Sequence, residues 1–486
     1  MNYLGVDLGT SSVKLILMDA AGKILRTVSK EYPLSMPHTG WSEQAPEDWW
    51  TQTKAGILEL MAGLDASQLA GVSFGGQMHG LVILDKEDRV IRPAILWNDG
   101  RTGAETAYLN DRIGQDKLAA YTANIAFAGF TAPKLLWVKN HEPQNFARIA
   151  KIMLPKDYIA YKMTGVHCCD YSDASGMLLL DVAGKRWSKE MLEICGVTEA
   201  QLPALFESYD CVGTLLPSAA RELGLPERVK VMAGAGDNAA AAVGTGTVKN
   251  GTCNISLGTS GTVFIANDRF RLPENHALHA FAHATGKYHL MGCILSAASC
   301  NKWWTEDILK ASDYAAEQRG FVPGGENEVL FAPYLMGERT PHNDPSARGA
   351  FIGLSMNTTR AQMTQAILEG VTFAVRDSVE IARGLGVDIQ RTKICGGGAK
   401  SPIWKQMVAD VLRMPVESIA TEEGPGLGAA MLAAVGCGEY QSVEEIADAM
   451  VQVTSVAEPD AKAADRYDAA YARFQKIYPA LKPVLG

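Results

Sequence analysis

A short phrase occurs twice in this chain, about half a chain length apart. Asp7-Leu8-Gly9-Thr10-Ser11-Ser12-Val13 lies near the start, and Ser256-Leu257-Gly258-Thr259-Ser260-Gly261-Thr262 lies just past the middle. Each copy joins two apolar runs of strand character: Tyr3–Val6 and Val13–Met18 around the first, Cys253–Ile255 and Thr262–Ala266 around the second. A Gly-Thr-Ser turn between two strands makes a small loop whose backbone N–H groups and hydroxyls can converge on a phosphate. One such turn means little, because Gly and Ser are favoured in turns of every kind. A second copy with matching flanks is the mark of an internal duplication. The expectation is an α/β protein of two duplicated lobes, each carrying one phosphate loop, with a nucleotide cleft between them. The copies differ where Asp7 faces Ser256 in the alignment, so only one lobe offers a carboxylate for a metal ion. A nucleotide site with a single Mg²⁺ has that asymmetry.

The chain has 486 residues, 47% hydrophobic and 20% charged. That is the balance of an ordinary globular protein, and its length calls for two or more cores. The lobes are expected at 1–246, with the first phosphate loop, and 247–486, with the second. A net charge of −9 and a pI near 5.6 argue against a nucleic-acid partner. No apolar run is long enough for a bilayer, and Asp7 and Lys14 interrupt what would be a signal peptide. Nine cysteines with no C-x-x-C pair fit reduced thiols in the cytoplasm better than a disulfide frame or a zinc site.

Strands and helices interleave in both halves. The first opens with a meander, Tyr3–Leu8, Val13–Asp19 and Lys23–Val28, followed by a helix from Pro46. A short strand, Val72–Phe74, runs into a loop Gly75-Gly76-Gln77-Met78-His79-Gly80 whose polar side chains could line a pocket. A strand Val229–Met232 leads through Ala233-Gly234-Ala235-Gly236 to Asp237-Asn238 and a small-residue helix, Ala239–Val243. The second half carries a long helix, Ala361–Arg383, and a strand Thr392–Cys395 entering Gly396-Gly397-Gly398-Ala399. Ser401 is a natural N-cap for a helix Ile403–Leu412. A glycine loop, Gly424-Pro425-Gly426, precedes a helix Leu427–Val435 with Gly436 just past its end.

Asp237 is the leading candidate for chemistry. At a helix start it could serve as an N-cap, a favoured place for Asp. It could equally accept a proton from a substrate hydroxyl as that oxygen attacks phosphorus. Gly396 to Ala399 would let backbone lie flat against a ring. The spacing is neither G-x-G-x-x-G nor a P-loop, which excludes Rossmann and Walker-type sites. His79 has no partner at metal-ligand spacing and reads as a donor to a hydroxyl. Trp97-Asn98-Asp99-Gly100-Arg101 and Glu338-Arg339-Thr340-Pro341-His342 are polar stretches that could line a pocket or form surface turns. His276, His279, His283 and His289 show no metal geometry.

The phosphate and glycine segments resemble those of the actin, Hsp70 and sugar-kinase superfamily. Two longer stretches narrow the likeness. Gly129-Phe130-Thr131-Ala132-Pro133-Lys134-Leu135-Leu136-Trp137-Val138-Lys139-Asn140-His141 is similar to the first recognition stretch of the FGGY carbohydrate kinases. Gly349-Ala350-Phe351-Ile352-Gly353-Leu354, continuing through Gln362-Met363 to Ala366-Ile367-Leu368-Glu369, is similar to the second. Gly76 to Gly80, Ile95 to Asp99, Leu154 to Tyr158 and Glu338 to His342 look most like the members that act on D-xylulose. The resemblance implies an RNase H-like/actin-like fold and ATP-dependent phosphorylation of D-xylulose at its 5-hydroxyl. It implies Asp237 as general base and Met78, His79, Asp237 and Asn238 as sugar contacts. Thr10, Ser11, Lys14, Gly258 and Thr259 would surround the phosphates, Gly397, Gly398 and Ala399 would lie along the adenosine, and Asp7 would serve Mg²⁺ through water. A homodimer is common in the family. The family often has Gly where Ala235 stands, a change tolerable if φ is negative there. The alternatives are an FGGY kinase for another ketose, polyol or sugar acid, and an actin-like or Hsp70-like ATPase.

Overall fold

The computed structural model describes residues 1–321, 324, 326–420 and 423–485. The chain forms two compact units. One comprises 1–248, 280–289 and 423–451, and the other 249–279, 290–422 and 452–486.

The first unit is built on a sheet of β1 (Asn2–Leu8), β2 (Ser12–Asp19), β3 (Ile24–Glu31), β4 (Leu69–Gly76), β5 (Cys211–Thr214), β6 (Lys230–Met232) and β7 (Ala235–Gly236). The order is β5-β6-β4-β1-β2-β3, with β7 also paired to β4. The meander β1-β2-β3 is antiparallel, whereas β4 runs parallel to β1 and β6 parallel to β4. Both faces of the sheet are buried, and the alternation along β1 shows how. Leu4, Val6 and Leu8 join one cluster with Trp49 and Ile57 of the helix Pro46–Met61, while Tyr3 joins another with Ala239, Ala240 and Ala430. Side chains that alternate between two covered faces give strands that read as unbroken apolar runs.

The second cluster depends on the absence of side chains. The helix Gly424–Cys437 lies so close to β1 that a β-carbon on Gly5 would stand 2.0 Å from the Gly426 carbonyl oxygen. A β-carbon on Gly428 would stand 1.8 Å from the Ala240 carbonyl oxygen of the helix Asp237–Gly244. The small residues from Ala239 to Ala242 therefore serve helix packing. Gly424 to Gly426 form the first turn of that helix rather than a loop before it. Gly436 lies inside it, and the left-handed cap is Gly438, at φ 86°. Gly436 stands on the packed face, where a β-carbon would meet the Tyr209 carbonyl oxygen at 2.4 Å.

The second unit repeats the plan with β8 (Thr252–Leu257), β9 (Gly261–Asn267), β10 (Tyr288–Ile294), β11 (Arg391–Cys395), β12 (Val416–Ile419) and β13 (Val453–Ala457), in the order β10-β9-β8-β11-β12-β13. The β8-β9 pair is antiparallel, β11 is parallel to β8, β12 is parallel to β11, and the edge strand β13 is antiparallel. These are the relations of β1-β2, β4, β6 and β5. One difference lies at that edge: β5 precedes its neighbour in the chain and β13 follows it. The helix Arg360–Gly384 opens on a Thr359–Gln362 capping box, and its Thr372 accepts from Trp404 Nε1 at 3.0 Å.

Candidate active site

The two phosphate loops are hairpin turns of unequal length. In the first, Leu8 pairs with Val13, leaving Gly9 to Ser12 as the turn; in the second, Leu257 pairs with Gly261, leaving Gly258 to Ser260. In both, the carbonyl oxygens are engaged by the protein. Gly9 O accepts from Tyr32 OH and from Gln77 Nε2 (3.2 Å), Thr10 O from Gln44 Nε2 (2.6 Å), and Ser11 O from Tyr32 N (3.2 Å). In the second unit Gly258 O accepts from Ala298 N (2.8 Å), and Thr259 O from Ala297 N (3.0 Å) and Ser299 Oγ (2.6 Å). With its acceptors tied back, each loop presents N–H and hydroxyl groups, the chemistry an anion needs. Trp97 Nε1 donates to Thr10 Oγ1 at 2.9 Å, which orients that hydroxyl's own proton outward.

Asp7 and Lys14 stand opposite each other in the β1-β2 ladder, and Lys14 forms an ion pair with Glu423. Burial, reinforced by the charge of Asp237, pushes the Asp7 carboxyl up to about 7, against a smaller downward pull from Lys14. Among the described residues no three His, Cys, Asp or Glu side chains group as metal ligands, so a cation here would keep most of its waters.

Asp237 is the first residue of the helix Asp237–Gly244, and the N-cap is Gly236. The carboxylate therefore does not occupy the N-cap position. Its Oδ1 accepts from Asn238 N (2.7 Å) and Asn238 Nδ2 (2.9 Å). Burial raises its pKa to about 6 against those two bonds. The turn before it places its positive φ (79°) on Gly234, while Ala235 is extended in β7. The alanine is therefore accommodated as expected.

Met78 and His79 follow β4. Gly75 and Gly76 belong to that strand and not to the loop, because they pair with Asp7 and Leu8. Met78 is buried, with its sulfur 3.9 Å from Asn238 Nδ2. His79 adopts φ 70°, stacks on Phe130 at 4.7 Å, and shares Nδ1 with the Gly176 carbonyl oxygen at 2.8 Å. A carbonyl only accepts, so Nδ1 carries the proton and Nε2 is the acceptor of the neutral ring. In that neutral form His79 offers a hydroxyl an acceptor, where the sequence reading takes it as a donor. The carbonyl oxygen of His79 accepts from Lys134 Nζ (2.9 Å) and Thr131 Oγ1 (3.0 Å), both from the first recognition stretch.

In the second unit, Gly258, Thr259, Gly397 and Gly398 line a cavity of about 840 Å³ together with Ser299, Asn301, Gln318, Ile403 and Trp404. Ala399 is buried and is not one of the lining residues. Ser401 caps the next helix through Trp404 N (3.2 Å) and donates to Gln318 Oε1 at 2.7 Å. The walls from Ser299 to Gln318 carry no motif and escaped the sequence reading.

Two polar stretches serve in part as internal scaffolding, although Trp97 of the first is exposed. Arg101 is buried against Trp41 (3.6 Å) and forks onto Asp99 at 2.9 and 2.7 Å. Glu338 is buried and takes the Leu295 and Arg339 amides at 2.9 and 2.8 Å, while His342 stacks on Tyr478 at 3.6 Å. His283 Nε2 meets the Thr247 carbonyl oxygen at 2.9 Å, a structural contact.

Known proteins share this design. The profile of the FGGY family of carbohydrate kinases, N-terminal domain, matches residues 2–244, and that of the C-terminal domain matches residues 253–437. A xylulose kinase of Bacillus subtilis is 40% identical over 98% of this chain and 97% of its own length. One of Escherichia coli is 40% identical over 100% of both chains. Among solved structures, a xyloylose (xylulose) kinase from Brucella ovis superposes with TM-score 0.94 at 41% identity, covering 100% of both chains. A gluconate kinase from Lactobacillus acidophilus reaches TM-score 0.93 at 26% identity, over 98% of this chain and 97% of its own. With both domain profiles matched in order, and relatives of this similarity along the whole length, the chain belongs to the FGGY family of carbohydrate kinases.

Proposed function

We propose that the protein transfers the γ-phosphoryl group of ATP to the 5-hydroxyl of D-xylulose, with Asp237 as the general base. The observation that carries the chemistry is the carboxylate of Asp237: it lies one residue inside the N-cap, is held on one oxygen by Asn238, and has a pKa raised to about 6. Its Oδ2 is the oxygen left to receive the hydroxyl proton as the sugar oxygen attacks phosphorus. A pKa just below neutrality keeps the base ionised at working pH and basic enough to draw the proton. Relatives named xylulose kinase, 40% identical over nearly the full length, support the choice of sugar.

In this reading Met78, His79 and Asn238 orient the ketose. Thr10, Ser11 and Lys14, with Gly258 and Thr259, hold the phosphates, and Gly397, Gly398 and Ala399 accompany the adenosine. Asp7 would hold Mg²⁺ through water; the ion, when bound, neutralises developing phosphate charge. Most of the rate then comes from positioning and charge stabilisation. The same reading takes the protein as cytoplasmic and as a homodimer, the latter open to light scattering. Among the described residues no helix is long and apolar enough to cross a membrane.

The test is ADP release with ATP and Mg²⁺ across D-xylulose, D-ribulose, L-ribulose, L-xylulose, D-fructose, glycerol and gluconate, with a no-sugar control. A strong preference for D-xylulose is expected. Preference for another sugar overturns the substrate and leaves the base to be tested separately. Release that ignores every sugar overturns the kinase reading.

A further inference from the structure

Beneath the residues assigned to the sugar lies a buried polar chain that the reaction as described does not use. Gly236, directly before Asp237, donates its N–H to Ser172 Oγ at 3.1 Å. Ser172 in turn donates to Asp170 Oδ2, which also accepts from Ser172 N (2.8 Å) and Ser208 Oγ (2.9 Å). The other oxygen, Asp170 Oδ1, stands 2.9 Å from Lys156 Nζ. Ser172, Asp170 and Lys156 are all inaccessible to solvent. The stem of Lys156 fills the space under β4, where a β-carbon on Gly76 would meet Lys156 Cβ at 2.7 Å. Four residues beyond Ser172, the carbonyl of Gly176 accepts from His79 Nδ1 at 2.8 Å. One short segment, 170–177, thus touches the turn that carries Asp237 at one end and the imidazole of His79 at the other. Its middle is fixed too, since Ser175 Oγ accepts from Ala282 N at 2.9 Å.

We propose that segment 170–177 is a brace that sets Asp237 and His79 in register, with Ser172 and Asp170 as positioning residues anchored on Lys156. The inference rests on the roles given above to Asp237 and His79. The chain of bonds is directional: each donor feeds the next acceptor, ending on a carboxylate beside an ammonium, and such chains strengthen their members. Every member is buried, so removal of one link leaves an unpaired polar group rather than a solvated one. The Gly236 N–H is the last link before the reacting carboxylate, and a slack turn there misplaces Asp237 Oδ2 by an amount that chemistry registers before folding does.

The experiment compares Ser172→Ala, Ser172→Thr, Ser208→Ala and Asp237→Asn, assayed on whichever sugar the wild type prefers. Ser208→Ala is the structural control, because Ser208 bonds the same Asp170 oxygen without touching Gly236. Ser172→Ala should lower kcat about tenfold or more. It should move the acid limb of the pH profile, raise KM for the sugar, and leave KM for ATP within about twofold. That limb reports Asp237 together with the charges that face it, Asp7 from β1 and Asp173 from the brace. Ser172→Thr should recover most of kcat, and Ser208→Ala should lower the Tm with kcat and the acid limb near wild type. Equal kinetic effects of Ser172→Ala and Ser208→Ala, or a wild-type acid limb and kcat in Ser172→Ala, overturn the brace. Should Ser172→Ala not fold, amide exchange at Gly236 in the wild type decides: protection like that of the β1 core supports the brace, and fast exchange removes it. Near-normal turnover in Asp237→Asn would instead sink the base assignment, whatever Ser172→Ala does.

Discussion

Asn238 gives both its backbone N–H and its side-chain nitrogen to one oxygen of Asp237, at 2.7 and 2.9 Å. The two donors come from a single neighbour, so the carboxylate is fixed in rotation while its second oxygen is spared. At the N-cap itself the carboxylate would have been turned toward the amides two or three residues on. Having Gly236 in that place, one residue earlier, is what leaves Asp237 available for chemistry.

Asp237→Asn keeps the shape and both helix ends but cannot accept the hydroxyl proton. Loss of a positioned general base costs on the order of 10²–10⁴ in kcat. The expected result is a fall of that size with KM for ATP little changed and the fold retained. In the wild type kcat/KM should decline as pH drops through about 6, the value to which burial raises this carboxyl. Steady-state kinetics from pH 5 to 8 check both points, and a flat profile in the wild type would remove Asp237 from the proton transfer.

The carboxylates of Asp7 and Asp237 should weaken the fold near neutrality. Their ordinary value is 3.8, and the folded protein raises Asp7 to about 7 and Asp237 to about 6. Between 3.8 and those values the native state holds protons that the unfolded chain releases. Stability from these groups is therefore present at low pH and lost as pH rises across that window. Asp7→Asn and Asp237→Asn should each raise the Tm at pH 7.5, by about 1–3 °C, and the gain should vanish near pH 4. Calorimetry on the ligand-free variants reads this directly. A lower Tm at pH 7.5 would contradict it.

Much of this was legible in the chain because local signals agreed with the final packing. The duplicated turn announced two α/β lobes of one plan, and Ser401 announced its helix. What stayed hidden depends on partners far away in sequence. Gly75 and Gly76 read as loop because glycine usually does, yet they are strand residues, Gly76 kept small by the stem of Lys156 and Gly75 by Pro425 and Ala240. Gly436 read as a helix end, although its smallness answers to the Tyr209 backbone. The walls of the second unit's cavity, Ser299 to Gln318, carry no spacing rule, since only the fold brings them to Gly397. The pairing of Ser172 with Gly236 spans 64 positions and left no periodic trace.

Gly397 and Gly398 are adjacent but should answer differently to the same added methyl. A β-carbon on Gly398 would lie 2.7 Å from Leu257 Cβ and 3.0 Å from the Trp404 ring, so Gly398→Ala strains the fold. Overpacking of that kind costs about 1–3 kcal/mol. A β-carbon on Gly397 meets nothing within 4 Å, and Gly397 lines the cavity of about 840 Å³. Gly397→Ala should leave the Tm alone and raise KM for ATP several-fold, with KM for the sugar unchanged. Thermal unfolding and ATP titrations of the two variants separate the cases, and an unchanged KM for ATP in Gly397→Ala would take the adenosine out of this cavity.

His79 makes the last prediction, because its ring is fixed from three sides. Nδ1 donates to Gly176 O at 2.8 Å, Phe130 lies against one face at 4.7 Å, and the backbone is held at φ 70° by donors on its carbonyl. In the neutral ring Nε2 is then an acceptor, suited to a sugar hydroxyl that donates. His79→Ala removes the acceptor and the stacked ring together. A site built to bond a hydroxyl loses roughly 1–3 kcal/mol when one partner goes, so KM for the sugar should rise about tenfold or more while KM for ATP holds. Protonation of the ring would turn the acceptor into a donor, so sugar affinity should also weaken as the imidazole charges. Titrating sugar binding calorimetrically against pH in wild type and His79→Ala isolates that contribution, since the part of the pH dependence owed to His79 must vanish in the variant. An equal pH dependence in both proteins would show that His79 does not meet the sugar through Nε2.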